Sequence, residues 1–204
     1  PSQPASLRAD DPVAQLHAAN YTEPQSGTTV KSKPDGQCFY WSAIKLLSSS
    51  PTEGSFGSVQ APSELKEHIK SIMLEEHPSV ANSYVKHYKF DLRVGAPPLK
   101  DDEWETKAKT LLEMIDETET IEDYVTEMMQ RSTFGGTIEL CALALLTNHP
   151  WQIGRLDPEE INPTRGTKIF VPLMQATPPE WSSWETEPMR MVQNASGNHF
   201  DSFF

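Results

Sequence analysis

Cysteine, basic residues and long apolar runs are all scarce in this chain. Two cysteines among 204 residues do not make a disulfide scaffold. The sequence also has no CxxC pair or clustered His/Cys spacing, so we expect no structural zinc. The thiol chemistry inferred below needs no metal and no organic cofactor, and none is expected. No run approaches the 18 apolar residues of a membrane-spanning helix, and residues 1–12 lack the pattern of a secretory signal. These absences predict free thiols in a reducing intracellular compartment such as the cytoplasm, and no membrane span.

Positive charge is the second shortage. The chain carries 17 Lys and Arg against 29 Asp and Glu, a formal net charge of −12. Nucleic acids and anionic membranes bind basic faces, so neither is an expected partner, whereas a substrate presenting Lys and Arg is compatible with this balance. Hydrophobic residues make up 37% of the chain, which at this length supports one globular domain with a substantial core.

The pattern along the chain predicts an N-terminal arm followed by one domain. Residues 1–20 are rich in Pro, Ser and Ala and read as an arm with a short helix around 12–19. Residues 21–204 form the domain, and its first ten residues, 21–30, are polar and turn-rich. We interpret both ends as cuts in a longer protein.

Within the domain, helical patterns come first and strand patterns last. Apolar residues at helical spacing predict helices that begin near residues 38, 63, 80, 104, 120 and 137. Short apolar or alternating runs predict strands at 151–156, 168–173, 189–193 and 199–204. This order indicates an α+β fold in which a small mixed or antiparallel sheet packs against helices.

The loop before the first of these helices is the strongest candidate site. It reads Lys-Pro-Asp-Gly-Gln and leads directly into Cys38. Unpaired N–H groups and the helix dipole at a helix N-terminus favour thiolate, so we interpret Cys38 as a nucleophile. Gly36 permits a sharp bend, and the N–H groups of Asp35, Gly36 and Gln37 are candidates for an oxyanion loop. The alternative is that Cys38 is an ordinary buried thiol beside a common turn.

The last predicted strand supplies a partner for this cysteine. His199 and Asp201 stand two positions apart, so their side chains project from the same face of a strand. A carboxylate so placed can hold one imidazole nitrogen and leave the other to meet a thiol. Most histidines in soluble chains lie on the surface without such a role, and an HxD pattern alone is weak.

Three sequence blocks together resemble the ovarian-tumour (OTU) family of cysteine proteases, most of which are deubiquitinases. They are PDGQCFYWSA, YVTEMMQRSTFGGTIELCALA and NHFDSFF, in the family's order and at compatible spacing. The resemblance implies a papain-like OTU fold, with the sheet packed between helices. It also implies that Cys38 is the nucleophile, His199 the general base and acid, and Asp201 the orienting acid. The endings of the first and last blocks are closest to viral or microbial members.

The resemblance further implies a channel for the modifier's C-terminal tail. Phe134, Gly135, Gly136 and Asn198 would line it, and Trp41 would stand at its mouth. Gly135 and Gly136 are equally compatible with a simple helix–helix turn. The chain departs from the family pattern at Phe134, where Trp is usual, and at Trp41, where Arg or His is frequent.

These observations predict an isopeptidase that removes ubiquitin or a ubiquitin-like modifier from lysine through a thioester. Conjugates of that modifier are then the partners. A polyprotein-processing protease with the same triad is one alternative, and a catalytically idle ubiquitin-binding module is another. For an active enzyme the Cys38 thiolate is expected to react with iodoacetamide near neutral pH faster than Cys141, which lies in an apolar helical run.

Overall fold

The structure is a computed structural model, and it describes most of the helices and strands that the sequence predicts. The described residues are 15–18, 25–49, 58–76, 121–130, 135–157, 168–178, 187–195 and 199–204. Among them, no helix has the length and apolar character needed to cross a membrane.

Four of the predicted helices are present in the described part of the chain. Their bounds are Cys38–Ser49 (α1), Pro62–Ser71 (α2), Ile121–Met128 (α3) and Thr137–Thr147 (α4). α2 runs on into a π-helical turn, Ile72–Glu76. The predicted helices near residues 80 and 104 lie outside the described residues.

The described strands form one mixed sheet. Their bounds are Gln15–Ala18 (β1), Gln25–Gly27 (β2), Thr29–Val30 (β3), Trp151–Leu156 (β4), Lys168–Thr177 (β5), Met189–Gln193 (β6) and Phe200–Phe203 (β7). The strand order is β1-β5-β4-β6-β7-β3, and β2 also pairs with β5. β4 and β6 are parallel, and every other pairing is antiparallel. The predicted α+β class and mixed sheet are confirmed.

The prediction for the N-terminal segment was wrong in part. Residues 15–18, expected in a short helix, form β1 and pair with residues 174–177 of β5. The turn-rich stretch before residue 31 likewise contains β2 and β3, which lie against β5 and β7. Pairing to a partner strand decides the structure here, because β2 and β3 are too short to show an alternation and that of β1 spans only four residues.

The core lies between α1, α4 and the sheet. Tyr40 and Phe200 both pack their rings edge-on against Phe39, at centroid distances of 5.4 and 5.3 Å, so α1 is fixed directly on β7. Cys141 is buried in α4, as its apolar surroundings predicted, and it is a free thiol like Cys38. The packing of α1 on β7 brings the two halves of the candidate site together.

Candidate active site

The loop before α1 is shaped by one aspartate and one glycine. Gly36 has φ of 81°, a left-handed conformation that favours glycine. The Asp35 carboxylate accepts the Gln37 N–H through Oδ1 at 3.0 Å, and the Trp41 N–H donates to the Gln37 carbonyl at 3.0 Å. This turn begins the helix at Cys38, as the sequence predicted.

His199, just before β7, and Asp201, near the start of β7, are in direct contact. The imidazole Nε2 lies 3.0 Å from Asp201 Oδ1, and the carboxylate is nearly buried. The two-residue spacing therefore produces the pairing that strand geometry predicted. With Nε2 engaged, Nδ1 is the ring nitrogen left to exchange a proton with a nucleophile.

Asp201 is held by two further groups from the segment after β3. The Ser32 N–H donates to Oδ1 at 2.8 Å, and the Lys31 ammonium forms a 3.2 Å ion pair with Oδ2. Burial raises the pKa of the Asp201 carboxyl, but the Ser32 N–H, the Lys31 ammonium and the His199 ring together outweigh it and lower the pKa below its ordinary value. Asp201 is therefore ionised at neutral pH and able to orient the imidazole.

The nucleophile candidate touches β7 between these two residues. Cys38 is only 1% exposed, and the backbone N–H of Phe200 is among the groups that lower the pKa of its thiol. Burial raises the pKa of Cys38, and the N–H groups of Phe200, Phe39 and Cys38 itself offset this only in part. The expectation that the helix N-terminus makes Cys38 a thiolate was therefore wrong for the free protein, because desolvation outweighs the N–H groups. Rapid iodoacetamide labelling at neutral pH is no longer expected.

The candidate oxyanion loop already uses one of its donors. The Gln37 N–H is taken by the Asp35 carboxylate, whose other oxygen accepts the Trp41 indole N–H at 3.0 Å. Lys33 lies 4.3 Å from the centroid of the same indole ring. Trp41 thus braces the loop in this structure, and an oxyanion role of Asp35, Gly36 and Gln37 stays a prediction.

The two predicted channel glycines directly precede α4. Gly135 lies against the ring of Phe39, and a Cβ placed on it would stand 2.4 Å from Phe39 Cδ1. The Gly136 N–H donates to Glu139 Oε2 at 2.7 Å, which caps α4. The start of α4 therefore packs directly beside α1, which carries the candidate nucleophile. Phe134 and Asn198, the other predicted channel residues, lie outside the described residues.

Several polar residues around the site were not singled out by the sequence. The group comprises Lys31, Ser32, Ser42, Lys66 and Glu139. Two of them could have been noticed in the sequence, because Lys66 and Glu139 are charged residues at positions on the apolar faces of α2 and α4. The contacts of Lys31, Ser32 and Ser42 depend on strand pairing and left no signal in the sequence.

Comparison with known proteins identifies the family. A family model described as OTU-like cysteine protease matches residues 33–187. No curated protein sequence matches the chain. Among solved structures, it is similar to the viral OTU domain protease from Farallon virus, with 15% identity and a TM-score of 0.52 over 96% of this chain and 98% of that one.

Two further viral structures are similar at lower scores. The Hazara virus OTU bound to ubiquitin shares 14% identity, with a TM-score of 0.49 over 97% of this chain and 92% of that one. The viral OTU domain protease from Dera Ghazi Khan virus shares 17% identity, with a TM-score of 0.49 over 93% and 85%. The family model covers most of the chain, and the Farallon virus structure supports the same fold. The chain therefore belongs to the OTU-like cysteine protease family.

Proposed function

We propose that this protein is a deubiquitinating isopeptidase that uses Cys38, His199 and Asp201 as its catalytic triad. Ubiquitin is the first modifier to test, because most members of the family act on it. The observation that carries the proposal is the contact of α1 with β7. The rings of Phe39 and Phe200 pack together, the Ser42 hydroxyl donates to the Phe200 carbonyl, and the flanking His199 and Asp201 are hydrogen-bonded to each other.

Because the pKa of Cys38 is raised, His199 has to remove the thiol proton during the reaction. Because the thiol is protonated in the free protein, His199 takes its proton through Nδ1 as the sulfur attacks the carbonyl of the modifier's last glycine. Asp201 stabilises the imidazolium that results, through the 3.0 Å bond to Nε2. Backbone N–H groups of the loop before α1 donate hydrogen bonds to the oxyanion.

The remaining steps return the enzyme to its starting state. The imidazolium of His199 gives its proton to the lysine amine as the C–N bond breaks, which leaves a thioester on Cys38. A water molecule, deprotonated by His199, then attacks the thioester. The C–S bond breaks, the sulfur regains a proton from His199, and the modifier leaves as its carboxylic acid, which ionises in water. Neither cysteine forms a disulfide, and the proposal includes a reducing compartment.

Ubiquitin carrying a C-terminal electrophile tests this proposal by intact mass. We expect one ubiquitin to be added to the wild type and to Cys141→Ala, none to Cys38→Ala, and slower addition to His199→Ala. Cys141→Ala is the matched control, since it removes the other buried thiol of the chain. Labelling of the wild type without turnover of a conjugate would favour the idle binding module.

Failure of the wild type to form an adduct would reject ubiquitin as the modifier. The same probes built on other ubiquitin-like tails, and a peptide substrate, then test the related modifiers and the polyprotein-processing alternative. A persistent adduct on Cys38→Ala would reject Cys38 as the nucleophile.

A further inference from the structure

One side chain of α1 binds the backbone of Phe200 directly. The Phe200 carbonyl accepts the Ser42 hydroxyl at 3.0 Å. Cys38 and Ser42 are four residues apart and therefore lie on the same face of α1, one turn from each other. The Phe200 N–H lowers the pKa of the Cys38 thiol and belongs to the peptide shared with His199, whereas the carbonyl belongs to the peptide shared with Asp201. One turn of α1 thus faces both peptides that join the proposed catalytic pair.

These two backbone groups are the ones that β7 turns away from β6. The Asn194 N–H donates to the His199 carbonyl at 2.9 Å, and Gln193 pairs with Phe200 in the antiparallel register. Bonding residues alternate along such a ladder, so the N–H and carbonyl of Phe200 point toward the β3 side. On that side β3 ends at Val30, opposite Ser202. No ladder bond from β3 reaches Phe200.

Ser32 occupies the next bonding position but is used elsewhere. Its N–H would continue the ladder to the Phe200 carbonyl, yet it donates to Asp201 Oδ1 at 2.8 Å. The Ser32 hydroxyl lies 2.7 Å from the Ser42 hydroxyl. Because the single Ser42 proton goes to Phe200, Ser32 is the donor of this second bond. The Ser32 N–H thus donates to the Asp201 carboxylate and not to the Phe200 carbonyl. The Ser42 hydroxyl donates to that carbonyl in its place.

We propose that Ser42 is a positioning residue, which fixes the peptides on either side of Phe200 so that the thiol of Cys38 meets the imidazole of His199. This inference rests on the proposed function for its effect on turnover. Its geometric part concerns the free protein alone. If the Ser42 hydroxyl is lost, the Phe200 carbonyl is left buried with no bond from α1, and the peptides beside it rotate to find another donor.

A matched control is available one residue beyond Asp201. Ser202 is also fully buried, and its hydroxyl donates to the Ser42 backbone carbonyl at 3.1 Å. Ser202→Ala therefore removes one buried serine hydroxyl between the same helix and strand. It leaves the bond between the Ser42 hydroxyl and the Phe200 carbonyl in place. A merely structural role of Ser42 would make the two alanine variants alike.

Turnover is the first readout. In Ser42→Ala we expect kcat on a ubiquitin conjugate to fall at least about tenfold with KM within about twofold, because a small misplacement of reacting groups slows chemistry more than binding. Ser202→Ala should keep kcat within about threefold of the wild type, and Ser42→Thr, which keeps the hydroxyl, should recover most of it. Equal losses in Ser42→Ala and Ser202→Ala would overturn the proposal.

The second readout needs no ubiquitin. Alkylation of Cys38, followed by peptide mass across pH, should move to higher pH in Ser42→Ala, since the Phe200 N–H that lowers the pKa of the thiol moves away. The titratable and charged groups around the Cys38 thiol are those of Asp35, His199, Asp201 and Lys31. The substitution alters none of them. An unshifted profile would overturn the proposal. A shifted profile with no wild-type turnover would support Ser42 and reject the proposed function.

Folding of the variants is controlled separately. Thermal unfolding establishes that each variant is folded at the assay temperature. If Ser42→Ala is not, Ser32→Ala replaces it, because that change removes the hydroxyl that orients Ser42. A smaller shift of the alkylation profile in the same direction is then expected, and a wild-type profile would overturn the proposal.

Discussion

Lys31 forms an ion pair with Asp201 through Oδ2, the carboxylate oxygen that the imidazole of His199 does not bind. The Lys31 side chain is 80% exposed, whereas that of Asp201 is 10% exposed. A solvent-facing cation and the imidazole ring therefore share one nearly buried carboxylate. In the proposed mechanism, Lys31 draws on the same negative charge that would stabilise the imidazolium.

Replacing Lys31 with Met should raise the pKa of the Asp201 carboxyl, because one cation that lowers it is lost. A depressed carboxyl pKa stabilises the fold above the unfolded value, near 3.8, and this contribution disappears as pH falls through the folded value. In Lys31→Met the loss begins at higher pH, so the acid-unfolding midpoint moves up. The pair is mostly exposed on the lysine side, and we expect a cost of about 0.5 kcal/mol at neutral pH and low salt.

Carboxyl NMR and acid unfolding by circular dichroism measure this effect. Lys70→Met is the control, since Lys70 makes only an exposed pair with Glu67 at 3.3 Å. The difference between the two variants should shrink in 0.5 M salt, a concentration at which the screening length is roughly 4 Å. A difference that is independent of salt would show that Lys31 acts through packing.

Gly135→Ala should destabilise the protein and disturb the packing of the start of α4 against α1. Its Cβ would stand 2.4 Å from Phe39 Cδ1, and Phe39 is itself held between Tyr40 and Phe200. Overpacking of this kind costs about 1–3 kcal/mol, measured by denaturant unfolding. Phe39→Leu makes room, so the double variant should lose less than the sum of the single changes. Strict additivity would show that the start of α4 moves away without contacting the ring.

Two buried residues of opposite charge, Glu139 in α4 and Lys66 in α2, influence each other's pKa. Glu139 is fully buried and accepts the Tyr124 hydroxyl and the Gly136 N–H. Lys66 is 1% exposed and donates to the Gln130 carbonyl at 2.7 Å. Burial raises the pKa of Glu139 and lowers that of Lys66, and each charge partly offsets the shift of the other. The two residues are electrostatically coupled without forming a direct ion pair.

A double-mutant cycle measures this coupling. Glu139→Gln leaves one buried donor without a carboxylate oxygen and should cost about 1–3 kcal/mol. Lys66→Met should cost a similar amount, because the Gln130 carbonyl loses its donor. The double variant should be more stable than the sum predicts by at least about 0.5 kcal/mol, since neither charge is then left alone. Additive losses in urea unfolding would show that the two charges act independently.

The parts of the fold that could be predicted are those with a local signal. α1 was recognisable from its apolar spacing and from Pro51 after a serine run, and α2 from Pro62 at its start. The pairing of His199 with Asp201 followed from strand alternation alone. A period of 3.6 or 2 is a property of neighbouring residues, so the sequence contains it.

The remaining features depend on residues far apart in the chain. β1 exists because β5 lies beside it, and the role of Ser42 exists because β3 stops before Phe200. The thiol of Cys38 was misjudged for the same reason: its local N–H groups are visible in the sequence, but the depth at which the helix is buried is not. Tertiary context decided each of these outcomes.

The bond between the Ser202 hydroxyl and the Ser42 carbonyl spans 160 residues of sequence. Contacts of such separation close a long loop and form late in folding, after local helices exist. A nascent chain that has produced α1 but not β7 thus holds Cys38 without His199 and Asp201. The proposed activity therefore depends on the meeting of α1 with β7, and a folding intermediate that lacks this contact would be inactive.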